Sequence, residues 1–378
     1  MDVLVIGAGI VGASCAFHLA ERGAAVTVLE RAPVPATGST GRSAGGVRVQ
    51  FSHRQNVAMS IHSMAAFDTF EERHGIDSGY RRVGYLFLVL AEDLEAWHVQ
   101  QRMQREAGAR VEALSPLEVA DRFPYLDVSG VSEGSLGLDD GVLDPHGVTS
   151  GYLASAKRLG ARVQLGEEVI GVEYRKDTWH VDTNRRSHVA DAVVNAAGPQ
   201  AAHIGGLAGF QLPVAPVRRV VYVTAPLSRV PKPTPLIVDL ASGVYLRSEG
   251  ERLMFGRSNL DEPPGENHAV DWNWLESTLE LALPRFPFLA DAELDRRACW
   301  AGLYAMTPDH LPILGAMPGT TGWHNACGFS GHGVQHAPAT GLLIAEEVLD
   351  GGASSFDLTD FRYDRFEGAR SAQERNVV

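Results

Sequence analysis

Near the start of the chain, the residues best placed to do chemistry are three glycines and an acid. Gly7-Ala-Gly9-Ile10-Val11-Gly12 follows a short apolar run, Val3 to Ile6, and opens a stretch from Ile10 to Glu21 with apolar positions at helical spacing. Bare backbone at such a turn can approach a diphosphate, and the helix N-terminus behind it favours negative charge. Glu30 ends the next apolar run, about twenty residues on, where an acid is placed to hold a ribose hydroxyl. Its charge would repel a 2′-phosphate. The motif therefore predicts a dinucleotide of the NAD or FAD type. Glycines alone could also form a tight turn with no ligand, but strand, helix and acid in sequence argue for the cofactor.

Two distant glycine-rich segments bear on which dinucleotide it is. Thr37-Gly-Ser-Thr40-Gly41-Arg42-Ser43-Ala44-Gly45-Gly46 could wrap a second phosphate and a ring edge with backbone N–H groups, or it could be a flexible surface loop. Gly328-Phe-Ser330-Gly331-His332-Gly333 precedes a helical pattern whose N-terminus would suit the anionic N1–C2=O edge of a reduced flavin. Three contacts spread along the chain favour the longer, permanently held FAD. Cys15, Cys299 and Cys327 form no C-x-x-C pair, so neither a disulfide framework nor a metal site is expected, and the compartment is expected to be reducing.

The elements that must position these groups follow from the pattern. Val3–Ile6, the helix Ile10–Glu21 and Ala25–Leu29 make a βαβ unit, which implies a parallel sheet with helices on its faces. An amphipathic helix is predicted from about Asn56 to Arg73, a strand-like run from Arg82 to Leu90, and helices near 92–106, 115–122 and 147–159. Short strands are predicted near 162–165, 168–174, 178–183 and 191–196, the last ending in Asn195-Ala-Ala197-Gly198. Between Pro213 and Cys299 the alternation reads as an antiparallel sheet, at Val217–Val223, Gly243–Arg247 and Leu253–Arg257, with a helix near 270–283. The expected fold class is α/β: a discontinuous Rossmann-like FAD domain (1–80, 145–212 and 300–378) with a β-rich substrate domain (81–144 and 213–299).

Composition narrows the partners. The 378 residues are 45% hydrophobic and 21% charged, ordinary for a globular protein of about two domains. Thirty-three Lys and Arg against 46 Asp and Glu leave a net charge of −13, which disfavours nucleic acid and anionic bilayers and points to a small-molecule partner. The longest uncharged stretch, Val3 to Phe17, is too short and glycine-broken to span a bilayer. The Met1-Asp2 start does not read as an export signal, so a cytoplasmic location is expected.

The glycine fingerprint, Gly41-Arg-Ser-Ala-Gly-Gly46, Asn195-Ala-Ala-Gly198, Trp300-Ala-Gly-Leu-Tyr-Ala-Met-Thr-Pro-Asp309 and Gly328-Phe-Ser-Gly-His-Gly-Val-Gln-His-Ala-Pro338 occur in this order. Together they resemble the D-amino-acid oxidase and sarcosine oxidase family of FAD enzymes over nearly the whole chain, most closely its sarcosine oxidase β-subunit and dye-linked L-proline dehydrogenase branch. The resemblance implies oxidation of a C–N bond, with hydride passing to flavin N5 and the resulting imine hydrolysed by water. Carried over by motif, Gly7, Gly9, Ile10, Val11, Gly12, Glu30 and Arg31 would hold the ADP half. Thr40 to Gly46 would face the pyrophosphate and flavin edge, and Val169 the adenine. Ala197, Gly198, Gly302, Gly328, Ser330, Gly331, His332, Gly333, Val334 and Gln335 would complete the cofactor site.

Departures from the family matter as much. The cysteine that tethers FAD in monomeric sarcosine oxidases corresponds to Gly302, and Cys299 stands three residues too early, so FAD is expected to be non-covalent. The lysine that holds the substrate carboxylate in those enzymes is Gln335 here, and the arginine used by glycine oxidases is Tyr304. Arg48 is then the nearest cation to the flavin loop, either for a carboxylate or facing pyrophosphate or solvent. Tyr245 and Arg247 share one face of a strand that could roof the flavin or be solvated. His332 could orient substrate or stabilise the reduced ring, or bond backbone only. The candidate catalytic set is therefore His332, Arg48, Tyr245 and Tyr304. Arg218 and Arg219 read as strand anchors or salt-bridge partners, and His310 as a structural or rim residue. Met254 falls where family oxidases keep an oxygen-activating lysine, which favours a dehydrogenase.

The leading expectation is FAD-dependent oxidation of a secondary amine or amino acid, such as sarcosine, proline or an N-alkyl amino acid, with an unidentified electron acceptor and possible partner subunits. Oxidation of a 2-hydroxy acid, and a non-catalytic flavoprotein subunit or assembly factor, are the alternatives.

Overall fold

The computed structural model describes residues 1–368 and 372–377. Strand β1 (Asp2–Ile6), helix α1 (Ile10–Glu21) and strand β2 (Ala25–Glu30) form the expected unit, with β1 and β2 parallel and Ile6 beside Leu29. They belong to a six-stranded sheet in the order Ile313–Ala316, Trp323–Cys327, Ala192–Asn195, β1, β2, Arg162–Leu165, parallel except for its first pair. Val3, Val5, Val193 and Val194 are almost fully buried, as strands covered on both faces require.

One face is covered by α1, by Pro145–Arg158 and by the long helix Gly333–Leu349. That helix comes so close to α1 that a Cβ at Gly341 would lie 2.2 Å from Ser14 Oγ. The opposite face carries a three-stranded sheet, Val169–Arg175, Thr178–Thr183 and Ser187–Ala190, with Trp179 and Trp323 packed between the two. The strand Ser187–Ala190 has no counterpart in the sequence expectations.

The second sheet has eight strands in the order Trp300–Met306, Ala215–Val223, Arg252–Arg257, Val244–Glu249, Leu236–Asp239, Tyr85–Val89, Glu133–Gly137, Val111–Leu114. Its own core includes Leu86, Tyr222, Leu246, Phe255 and Phe286. Two local expectations are corrected. The sheet is not wholly antiparallel, because Leu236–Asp239 runs parallel to Tyr85–Val89. The helix predicted over 56–73 is two, Arg54–Asp68 and Phe70–His74, broken where Thr69 leaves helical geometry at φ −100°, ψ 11°. No helix among the described residues is long and apolar enough to cross a membrane. Cys15, Cys299 and Cys327 are buried free thiols.

Candidate functional site

A cavity of about 480 Å³ is lined from both sheets. At one end β1 delivers the chain into Gly7, whose φ of +110° and whose approach to Ala196 (a Cβ would lie 2.5 Å from its carbonyl oxygen) admit only glycine. Gly12 does not line the cavity. A Cβ there would meet Gly7 O at 2.0 Å, so its part is to let α1 close onto the turn. The Glu30 carboxylate accepts from Ala8 N and Ala32 N, both at 2.8 Å, one on each oxygen, and each oxygen keeps lone-pair capacity toward the cavity. Ile10 N donates to Thr40 Oγ1 at 3.1 Å, so the distant glycine-rich loop caps α1. Val169, Ala197, Gly198 and Arg31 line this end, together with Glu167, Gln200 and His203, which the sequence reading passed over.

The loop over 37–46 is pinned. Ser39 Oγ donates to Leu303 O at 2.6 Å, Trp300 Nε1 to Arg42 O at 2.9 Å, and Arg247 Nε to Ala44 O at 2.8 Å. The flexible-loop alternative is thereby set aside. Thr40, Arg42, Ser43, Ala44 and Gly46 line the cavity, whereas Gly41 and Gly45 do not. A Cβ at Gly41 would sit 2.3 Å from Ala36 O, and one at Gly45 2.6 Å from Leu143 O, so these two let the loop fold tightly.

The third element is the N-terminus of Gly333–Leu349. The first-turn N–H groups of Gly333, Val334 and Gln335 have no acceptor within their own helix and face the cavity wall they line. Ser330 locks the turn to the strand Trp300–Met306, donating its N–H to Ala305 O at 2.9 Å and accepting from Thr307 N at 3.1 Å through Oγ. Gly331, at φ +99°, lies against the Tyr304 ring, where a Cβ would approach within 2.3 Å. Burial holds His332 well below the usual histidine pKa, helped by His336 and Arg48, and pushes His336 down to about 3. His332 is therefore neutral, and the helix N-terminus, not an imidazolium, supplies positive potential here. Its Nε2 is buried without a partner, as is Gln335 Nε2.

Next to this element, where Gly331 meets the Tyr304 ring and Arg219 lies 5.2 Å from the same ring, the cavity forms a chamber lined by Tyr85, Tyr245, Tyr304 and Arg219. Burial raises the pKa of all three phenols, which stay neutral. The solvated-face alternative for Tyr245 and Arg247 is set aside: Arg247 is buried as the clasp on Ala44, and Tyr245 is half-buried as part of the cavity wall. Arg48 lines the cavity, but its guanidinium donates to Gln50 O at 2.7 Å and to Asn376 O, and stacks 4.0 Å over Phe51. Gln335, in the family's lysine place, accepts from Arg48 N at 2.8 Å through Oε1.

Arg218 and Arg219 point to opposite sides. Arg218 binds Glu262 and Asp271 as expected of a salt-bridge partner, while Arg219 enters the cavity. His310 reaches Glu374 O and is no cavity wall, and Met254 lies in the core of the larger sheet. Cys299 Sγ accepts from Val223 N at 3.3 Å, away from the lining, whereas Gly302 lines it. Tyr85 and His268 were missed by sequence reasoning, and Arg219, read as a strand anchor or salt-bridge partner, instead lines the cavity without an acidic partner among the described residues. For Arg219 the signal was the alternation through Val217, Arg219 and Val221.

These features suit FAD. A glycine-bordered turn with no room for a Cβ, an acid with free lone pairs, a helix N-terminus and unpartnered buried nitrogens on His332 and Gln335 form a connected cradle for a long polar ligand with an anionic ring edge.

Comparison with known proteins agrees. A family model described as FAD dependent oxidoreductase matches residues 2–347. The FAD-dependent oxidoreductase domain-containing protein 1 of Xenopus laevis is 33% identical over 100% of this chain and 85% of its own length. The mitochondrial dimethylglycine dehydrogenase of Homo sapiens is 29% identical over 97% of this chain, which spans 44% of that protein. The crystal structure of L-proline dehydrogenase from P. horikoshii superimposes with a TM-score of 0.90 and 29% identity, covering 97% of each chain.

Proposed function

Since the chain belongs to the DAO family of FAD-dependent oxidoreductases, we propose that it oxidises the C–N bond of a secondary or tertiary amine or amino acid of the sarcosine, dimethylglycine or proline type. The observation that carries this reading is the one continuous cavity lined by Glu30, by the N-terminus of Gly333–Leu349 and by a chamber of neutral tyrosines with Arg219. FAD, when bound, supplies the hydride acceptor.

The chain's own residues do the rest. Gly7, Gly9, Ile10, Val11, Thr40, Arg42 and Ser43 hold the diphosphate, Glu30 the ribose and Val169 the adenine. The N–H groups of Gly331, Gly333, Val334 and Gln335 would face the ring edge that gains negative charge, as fixed dipoles that need no reorganisation, while the His332 N–H is spent on Phe329 O at 3.0 Å. Tyr85, Tyr245 and Tyr304 exclude water and orient the amine. FAD is held without a covalent bond, because Gly302 offers no thiol and Cys299 is buried elsewhere. Electrons leave to an acceptor other than oxygen: the chain's lysines are Lys157, Lys176 and Lys232, and none lines the cavity. Free buried thiols fit a reducing, cytoplasmic setting, although the dimethylglycine dehydrogenase relative is mitochondrial.

Anaerobic mixing of the holoenzyme with sarcosine, dimethylglycine and proline tests the reading. Bleaching of the flavin band by at least one is expected, and no bleaching by any of them overturns it. Acid precipitation is expected to leave the yellow colour in the supernatant.

A further inference from the structure

Four arginines line the cavity, and the structure separates them by what their donors already do. Arg31 pairs with Glu266 at 3.6 Å. Arg42 gives Nη1 to the carbonyls of Thr37 and Gly38. Arg48 is held by Gln50 O and Asn376 O. Arg219 is the one of the four with a buried guanidinium nitrogen left unpartnered: another nitrogen donates to Arg218 O at 2.9 Å, and Nε is buried with no partner. No acid pairs with it among the described residues. Glu262, the nearest carboxylate to influence it, is engaged by Arg218 at 2.8 and 3.0 Å. A desolvated cation without a counter-charge is unfavourable, and a fold that keeps one in a cavity wall is prepared for an anion.

We propose that Arg219 binds the carboxylate of the substrate, so that the amine oxidised in this chamber is an amino acid or N-substituted amino acid and not a simple amine. The proposal rests on the chamber being the substrate site, as read above. Its geometry follows from the strand register. Arg219 stands opposite Gly302, which lines the same cavity and packs against Arg42, where a Cβ would lie 3.1 Å from the Arg42 side chain. The guanidinium lies 5.2 Å from the Tyr304 ring centre, and that ring packs on Gly331 at the helix N-terminus. A carboxylate on Arg219 is therefore placed one ring away from the element that faces the flavin edge. The planar fork of an arginine suits bidentate binding of a carboxylate. Glu30, Glu167 and Glu168 are the acids that line the cavity, and among the described residues none of them pairs with Arg219, while Glu262 is held by Arg218. This role replaces both family clamps, whose positions are held by Gln335 and Tyr304.

The test uses ligands that the enzyme does not oxidise. Acetate and its uncharged analogue acetamide are titrated into the holoenzyme, and binding is read from the visible difference spectrum of the flavin. The wild type is expected to bind acetate and to bind acetamide far more weakly. Arg219→Gln is expected to weaken acetate about 100-fold, the loss typical of removing one partner of a buried charge pair, with acetamide unchanged. Arg219→Lys is expected to lose about 10-fold, since it keeps the charge but not the fork. An acetate affinity in Arg219→Gln within threefold of wild type overturns the proposal, and so does a wild type that fails to prefer acetate. If Arg219→Gln does not take up FAD, Arg219→Lys decides, because a purely structural role would weaken acetate and acetamide alike. Failure of amines to bleach the wild-type flavin would sink the amine reading and leave the acetate result standing.

Discussion

Replacing Glu30 by glutamine changes one oxygen to an amide and leaves volume and position nearly constant. In the native site each carboxylate oxygen accepts one backbone N–H at 2.8 Å, from Ala8 in the glycine turn and from Ala32 just past β2. Whichever way the amide turns, its NH₂ faces one of those N–H groups, donor against donor. Losing one hydrogen bond to a charged acceptor costs roughly 1.5–3 kcal/mol, and because Glu30 is only partly buried the low end applies, about 1.5 kcal/mol. The apoprotein is expected to melt about 2 °C lower on this account. A second, separate loss falls on the cofactor: one anionic acceptor for the ribose is gone, worth about another 1.5–2 kcal/mol, or a roughly tenfold to thirtyfold higher Kd for FAD. Apoprotein melting measures the first quantity, and recovery of FAD fluorescence on dilution of the holoenzyme measures the second. A lower melting temperature with FAD affinity within twofold of wild type would show that Glu30 is only a backbone pin and refute the ribose assignment.

Gly12→Ala places a Cβ 2.0 Å from the Gly7 carbonyl oxygen, so α1 must retreat from the turn; a loss of about 2 kcal/mol in stability and reduced FAD occupancy are expected. Gly206→Ala, in a helix with nothing within 4 Å, is the matched control and is expected to stabilise by about 0.5–1 kcal/mol in chemical denaturation. Burial pushes Asp140 up to about 7, although Gln50 Nε2 and Val49 N both donate to it. Its folded pKa lies above the unfolded one, so its contribution is fully present below about pH 4 and is lost as pH rises toward 7. The stability of wild type relative to Asp140→Asn is therefore expected to fall between pH 5 and 8, by about 2.5 kcal/mol, in denaturant titrations; a flat difference overturns this. Glu374, fully buried near the C-terminus, accepts from Ser52, His53, Asn56 and Asn376, and Glu374→Ala is expected to cost about 3 kcal/mol by the same measurement.

Local pattern was enough for β1, α1 and β2, for the place of Glu30, and for the order of the glycine-bearing motifs, because a turn, a helix start and a strand end are each specified within a few residues. The alternation through residues 217–223 was equally visible, yet it does not say which face of a strand meets a ligand. Arg218 and Arg219 are adjacent and chemically alike. Only the pairing of their strand with Trp300–Met306 turns Arg219 toward the cavity and Arg218 toward Glu262. Arg48 reads as a free cation beside the flavin loop until Asn376, at the far end of the chain, is seen to take its guanidinium.

The sequence alone thus determined the cofactor class and the segments that carry it, since the turns and caps that meet a dinucleotide are local and leave their mark in glycine spacing. Tertiary structure decided which charges remain unspent. Arg247 bonds Ala44 across 203 positions of chain, Arg48 is held by Gln50 and Asn376, and Arg219 is left with a buried, unpartnered Nε in the cavity wall. Whether a cation is available to a ligand depends on every neighbour that could neutralise or bond it, and those neighbours are brought together by folding.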